Sequence, residues 1–242
     1  MYINYTEEDH QVWHDLITQQ LPLVKKVACK EYLEGLGLLN LSIDRIPEIA
    51  KVSSKLFNIT GWNLIPVDTL VSNRKFLYML SNKQFPVIPV IRSRAEIDFY
   101  TNESPDIFHE LFGHCPLITN QRYANSMWKL GNLSINCHDE LIERLAHIFW
   151  ATYEFGLLDT TQGIKVYGAG ILPSKSETKR AIESKQAIRT KLDIFADIDA
   201  SLQGNIAQST YYTIDCLDTL YNILDNDIER LISQEESSLK SP

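Results

Sequence analysis

Apolar residues at Val12, Leu16, Leu23, Val27 and Leu33 recur at helical spacing, which predicts a helix over residues 7–34. Ser42 is placed to cap a short helix through Ile49, and Ser53–Leu56 carries helical character towards Gly61 and Trp62. The pattern then changes. Leu64–Pro66 and the run FPVIPVI at 85–91 are rich in β-formers but punctuated by proline, which predicts short edge strands or extended loops with a helix over 72–81 between them. Pro105 suits a first helical position, with Asp106 adding negative charge in the first turn. A long helix is expected from Asp139 to Leu158, and further helices over 175–190 and 215–234. The last of these has a short apolar stripe at Leu217, Leu220, Leu224 and Leu231, better suited to packing on its own domain than to a coiled coil, so a monomer is expected. The tail, about 235–242, is expected to be disordered. The fold class that emerges is mainly α with a few short β-strands, in a single domain over 1–242.

Composition sharpens this picture. With 242 residues and 44% apolar content the chain can bury roughly 70–75% of its unfolded surface. A net charge of −8 without a basic stripe argues against nucleic acid as a partner. The start, MYINYTEEDHQVW, has neither the basic nor the apolar segment of a secretory signal, and no apolar run is long enough to span a bilayer. Cys29, Cys115, Cys137 and Cys216 are scattered without a CxxC pair, which excludes zinc-ribbon chemistry and suits reduced thiols in the cytoplasm.

The candidate chemistry lies in SPDIFHELFGHCPL, residues 104–117. Zinc peptidases place two histidines four apart, about 40° round a helix, so both face one ion. His109 and His114 are five apart, about 140° on a regular helix, and cannot converge there. Gly113 suggests an escape as a left-handed helix terminator, with Pro116 soon after, so that the chain turns and brings His114 back. The plainer alternative is a pair of histidines satisfying buried hydrogen bonds.

A third donor is available in AHIFWATYEFGLL, residues 146–158. Glu154 is the one carboxylate of a stretch apolar on both faces, where an unpaired charge is costly unless it is paired, protonated or metal-bound. A buried pair with an arginine is the bland alternative. Two imidazoles and a carboxylate make the facial triad of non-haem Fe(II) oxygenases. A zinc hydrolase with Glu110 as general base competes, with spacing against it.

Beyond these segments the chain resembles the pterin-dependent aromatic amino acid hydroxylases, in their bacterial phenylalanine 4-hydroxylase branch. The likeness runs through YTEEDHQVWHDLITQQLP at 5–22, ACKEYLEGL, DRIPEIAKVS at 44–53, TGWNL at 60–64, QFPVIPVIR at 84–92, PDIFHELFGHCPL, WATYEFGL and VYGAGIL at 166–172. The resemblance implies that fold, without an N-terminal regulatory domain. It implies Fe(II) held by His109, His114 and Glu154, and a catalytic Glu110 beside the pterin. Within LVSNRKF at 70–76 it implies backbone contacts from Val71 and Ser72 to a tetrahydropterin and stacking by Phe76, which periodicity alone would assign to the core.

On the substrate side the resemblance implies that Arg92 grips the carboxylate of the amino acid, a bidentate geometry suited to guanidinium. Arg94 is a rival two residues on. Trp150, Phe155 and Gly170 would line the aromatic pocket, and Gly168-Ala169-Gly170 is expected to be a turn of close approach. The implied reaction couples oxidation of tetrahydropterin by dioxygen to ring hydroxylation of an aromatic amino acid. L-Phenylalanine is the first expectation; tryptophan, an altered ring position, and a non-catalytic descendant that only binds pterin and amino acid are the alternatives. Three positions depart from the family pattern. Pro173 stands where a serine commonly supports an iron-ligating histidine, with Ser174 a candidate substitute. Phe149 replaces a common tyrosine, and 100–106 is longer by about two residues than in bacterial relatives.

Overall fold

The computed structural model describes residues 4–97, 105–196, 198 and 208–239, with backbone alone for 235–239. The longer segment at 100–106 therefore falls, apart from Pro105 and Asp106, outside the described residues, as do 240–242. Thr6 caps α1 (Glu7–Val27), its hydroxyl accepting from the Asp9 amide while the Asp9 carboxylate reaches back to the Thr6 amide. The helix expected over 7–34 is in fact two. It breaks at Ala28, which is extended, where the Cys29 amide bonds to the Val166 carbonyl, and α2 (Lys30–Leu39) follows. A partner distant in sequence thus interrupts a locally continuous helical pattern.

The expected helix from Ser42 to Ile49 is absent. The Ser42 carbonyl accepts instead from the buried Trp13 indole, and α3 runs Ile49–Thr60 to a left-handed Gly61. Strand β1 (Asn63–Pro66) pairs in parallel with β2 (Gln84–Val87) across α4 (Asn73–Ser81), as the proline-punctuated pattern predicts. Pro105 and Asp106 precede the next helix rather than entering it: helical structure starts at Ile107, and Asp106 Oδ1 accepts the His109 amide as a cap.

Two irregular turns shape the centre. Residues His109–His114 form a π turn, followed by α5 (Cys115–Ile118) and α6 (Gln121–Leu133). The helix expected from Asp139 to Leu158 ends as α at Phe149 (α7, Asp139–Phe149), widens into a second π turn at Trp150–Glu154, and gives way to strand β3 (Leu157–Thr160). Gly163, at positive φ, opens β4 (Gly163–Val166). The helix expected over 175–190 is shorter, α8 (Lys175–Glu183), because Ile188–Lys191 becomes β5 beside β6 (Thr210–Ile214). The sheet order is β4-β3-β6-β5, antiparallel only between β3 and β4. The helix expected over 215–234 is instead α9 (Leu217–Asn222), a third π turn and α10 (Ile228–Leu239), so the tail expected to be disordered from about 235 is helical through 239.

The buried residues form one connected core that includes Trp13, Tyr32, Trp62, Phe108, Phe112, Tyr153 and Tyr211. Leu217, Leu220, Leu224 and Leu231 are buried in it, as the stripe predicts. Helix α6 lies against α4 so closely that a Cβ on Gly131 would stand 2.3 Å from the Ser81 amide nitrogen. No helix among the described residues is long and apolar enough to cross a membrane.

Candidate metal centre

The first π turn resolves the five-residue spacing of the histidines. In such a turn the backbone bond closes from residue i to i+5, so side chains five apart stack on one face. His109 Nε2 and His114 Nε2 stand 3.0 Å apart. Gly113 is not the left-handed stop that the sequence suggests, and the chain stays helical through it. Its missing side chain matters for a different reason: a Cβ there would lie 2.6 Å from the Ala169 carbonyl oxygen.

The second π turn delivers Glu154. Its Oε1 lies 2.9 Å from His114 Nε2, and its Oε2 lies 3.7 Å from His109 Nε2. All three residues are buried, and Glu154 Oε2 has no hydrogen-bond partner. Burial lowers the His109 pKa to about 4, which favours the neutral imidazole. For Glu154 burial works upward, but the two imidazoles outweigh it and hold the carboxyl below its usual range. Two imidazoles and a carboxylate with an orphaned oxygen, buried together, are a poor arrangement in isolation and a good one around a cation. Donors bound at about 2.1 Å and at right angles stand about 3.0 Å apart, so these spacings fit one ion with open positions.

The site opens into a pocket of about 640 Å³, mouth included, whose lining unites His109, His114, Glu154, Glu110, Val71, Phe76 and Trp150. Burial, then the Glu154 carboxylate, push Glu110 well above the usual carboxyl range, against the opposing effect of the Ile88 backbone. Phe76 meets Phe149 edge-on at 4.7 Å and Phe85 at 6.1 Å. Phe149 stacks on Tyr153 at 5.0 Å, contacts His114 at 6.4 Å and is part of the pocket wall. Ser72 is outside the lining; its hydroxyl caps α4 through the Lys75 amide.

Three of the expected site residues, Arg92, Phe155 and Gly170, are not part of this lining. Arg92 is 8% exposed and forms a two-point ion pair with Asp106, Nε to Oδ2 at 2.7 Å and Nη2 to Oδ1 at 2.8 Å. Burial works to raise the Asp106 carboxyl, but Arg92 and the amides of His109 and Arg92 hold it below the usual range. Arg94, the rival, is a surface cation bonded to Asp15 at 2.8 Å. Phe155 is fully buried and stacks on Trp150 at 6.0 Å. Gly170 leaves room for the carboxylate: a Cβ would stand 3.0 Å from Glu154 Oε2 and 3.1 Å from the Phe155 ring. The close-approach turn expected at 168–170 is present, with Gly168 against the Glu154 carbonyl.

Sequence reasoning missed Phe85, Ile88 and Pro105 in the wall, and Asp106 as the partner of Arg92. The first two sit in an apolar run whose pattern marks burial but not what it faces. Asp106 carried only the signal of an acid just before a helix. Ser174 Oγ accepts from the Glu177 amide as the cap of α8 and lies 3.2 Å from Ser176 Oγ.

Comparison with known proteins places this geometry. Residues 1–233 match the family of biopterin-dependent aromatic amino acid hydroxylases. Phenylalanine-4-hydroxylase of Vibrio cholerae is 37% identical over 233 residues, covering 96% of this chain and 80% of the relative. The apo structure of the cold-active phenylalanine hydroxylase from Colwellia psychrerythraea superposes with a TM-score of 0.88 at 39% identity, covering 98% of this chain and 91% of that one. The iron- and phenylalanine-bound structure of the Chromobacterium violaceum phenylalanine hydroxylase does so with a TM-score of 0.84 at 33% identity, covering 95% and 83%. With two π turns presenting His109, His114 and Glu154 to one point, and likeness along nearly its whole length, this chain belongs to the biopterin-dependent aromatic amino acid hydroxylase family.

Proposed function

We propose that this protein is an iron- and tetrahydropterin-dependent monooxygenase that converts L-phenylalanine to L-tyrosine. The observation that carries it is the convergence of His109, His114 and Glu154 at the base of an apolar pocket in a chain of this family. When bound, the iron and the pterin supply dioxygen activation and delivery of one oxygen atom to an aromatic ring. The residues of the chain do the rest. His109, His114 and Glu154 would hold the ion, and all three line the pocket. Phe76 offers a ring face for the pterin, and the backbone at Val71 and Ser72 offers polar contacts at its edge. Glu110, in the same pocket wall, would lie near the ion and the pterin and help to organise oxygen activation.

Arg92 is held in plane by Asp106 and is proposed to pair with the substrate carboxylate, fixing the ring by its other end. Trp150, which lines the pocket and is backed by Phe155, is proposed to face the substrate ring, with Gly170 allowing the close approach of Glu154 and Phe155 behind it. The zinc-hydrolase alternative is set aside, since the family is one of hydroxylases and the histidines lie on a π turn. We further propose that residues 1–242 form one catalytic domain acting as a cytoplasmic monomer. The test is anaerobic loading with Fe(II) followed by oxygen, tetrahydropterin and a panel of aromatic amino acids. Tyrosine from phenylalanine in step with pterin oxidation is the expected result. Turnover of tryptophan alone would overturn the substrate assignment, and absence of any hydroxylated product would overturn the activity.

A further inference from the structure

Segment 168–173 lies between the two π turns that carry the metal donors. On one side the amides of Ala169 and Gly170 donate to the carbonyls of Tyr153 and Glu154, both at 2.8 Å. On the other, the Ala169 carbonyl and Pro173 Cγ lie 2.6 and 3.3 Å from the point where a Cβ on Gly113 would stand. The segment is therefore a spacer in contact with both ligand-bearing turns, and its position helps to set how far Glu154 stands from the histidines.

The outer end of this spacer is held from α1. Gln20 is 2% exposed, and its Nε2 donates to the Leu172 carbonyl at 2.6 Å and to Thr178 Oγ1 at 3.1 Å. Thr178 is fully buried, with its hydroxyl 2.8 Å from the Ile171 carbonyl and 2.7 Å from the Ser174 carbonyl. Pro173 brings no amide hydrogen to this end, and Ser174 is committed to capping α8. A buried carboxamide joining a carbonyl to a hydroxyl, 152 and 158 residues away in sequence, is costly to leave unmatched and directional when matched.

We infer that Gln20 and Thr178 are positioning residues of the metal centre: they pin Ile171–Ser174 and, through it, fix the separation of the two π turns. The inference rests on the assignment of His109, His114 and Glu154 as the ligands. It is tested by anaerobic Fe(II) titration against a competing chelator, with the absorption spectrum of the Co(II)-loaded protein and the unfolding midpoint of the metal-free protein recorded in parallel. Gln20→Met and Thr178→Val should weaken Fe(II) binding by about 10–100-fold and shift the Co(II) bands, while Thr178→Ser keeps the parent's affinity and spectrum. Parent-like affinity and spectrum in both Gln20→Met and Thr178→Val, whatever happens to their unfolding midpoints, would overturn the inference. Should Gln20→Met fail to fold, the Thr178→Val and Thr178→Ser pair decides alone. A parent that binds no Fe(II) would reject the ligand assignment and this inference together; a parent that binds it and variants that match it reject the inference alone.

Discussion

Single residues in this protein are set by what they are paired with. Arg92 and Asp106 are both buried and meet at two points, so the pair is tolerable only as a pair. Asp106→Leu leaves the guanidinium charge uncompensated and removes the cap at the His109 amide; it should destabilise the fold by about 3–5 kcal/mol, read from urea unfolding. Glu177 behaves in the opposite sense. Burial raises its pKa against the opposing pull of the Tyr211 hydroxyl that donates to it. A carboxyl raised on folding contributes stability below its unfolded pKa and loses it as pH rises through the folded value. Glu177→Gln, which cannot ionise, should therefore gain stability relative to the parent on going from pH 4 to pH 7. Unfolding curves at the two pH values measure this, and an unchanged difference would contradict it.

At the scale of elements, the π turns are the decisive features. Widening a helix to i→i+5 bonding aligns His109 with His114 but leaves carbonyl groups without regular partners. In the first turn the Tyr32 hydroxyl, reaching over from α2, donates to the Phe112 carbonyl. In the second, Thr152 Oγ1 bonds back to the Ile148 carbonyl at 2.6 Å. Tyr32→Phe keeps the ring in its edge-on contact with Phe112 and removes only the donor. It should cost about 1–3 kcal/mol, the expense of an unmatched buried carbonyl, measured by chemical denaturation. A cost near zero would mean that the turn does not need that bond.

For the molecule as a whole, the core and the metal site are coupled. Residues far apart in sequence bring three electron-pair donors together in a buried place, where they face one another at 2.9–3.7 Å. An ion binding only the folded state stabilises it by about 2.7 kcal/mol at a concentration near 100 times Kd. For a chain of this size that is a rise in Tm of about 5–10 °C. Calorimetry with and without Fe(II) under anaerobic conditions should show this rise, and Glu154→Gln should abolish most of it. An equal rise in Glu154→Gln would place the ion elsewhere.

Much of this protein is written locally. The helical periodicity that ends in the buried stripe Leu217–Leu231, the proline-marked strands β1 and β2, and the helix between them depend on neighbours in the chain, and so are legible without the fold. The donor set was legible too, because two histidines beside a glutamate and a lone carboxylate in an apolar helix are costly unless they have a common use. What the sequence could not decide was geometry created by distant contacts. The break at Ala28 waits on Val166, the glycine at 113 is required by the Ala169 carbonyl rather than by a left-handed turn, and Glu154 comes from a π turn where periodicity suggests an unbroken helix. Helical preference reports on spans of a few residues, whereas these features are enforced by groups tens of positions away. Only the packed chain brings those groups close enough to act.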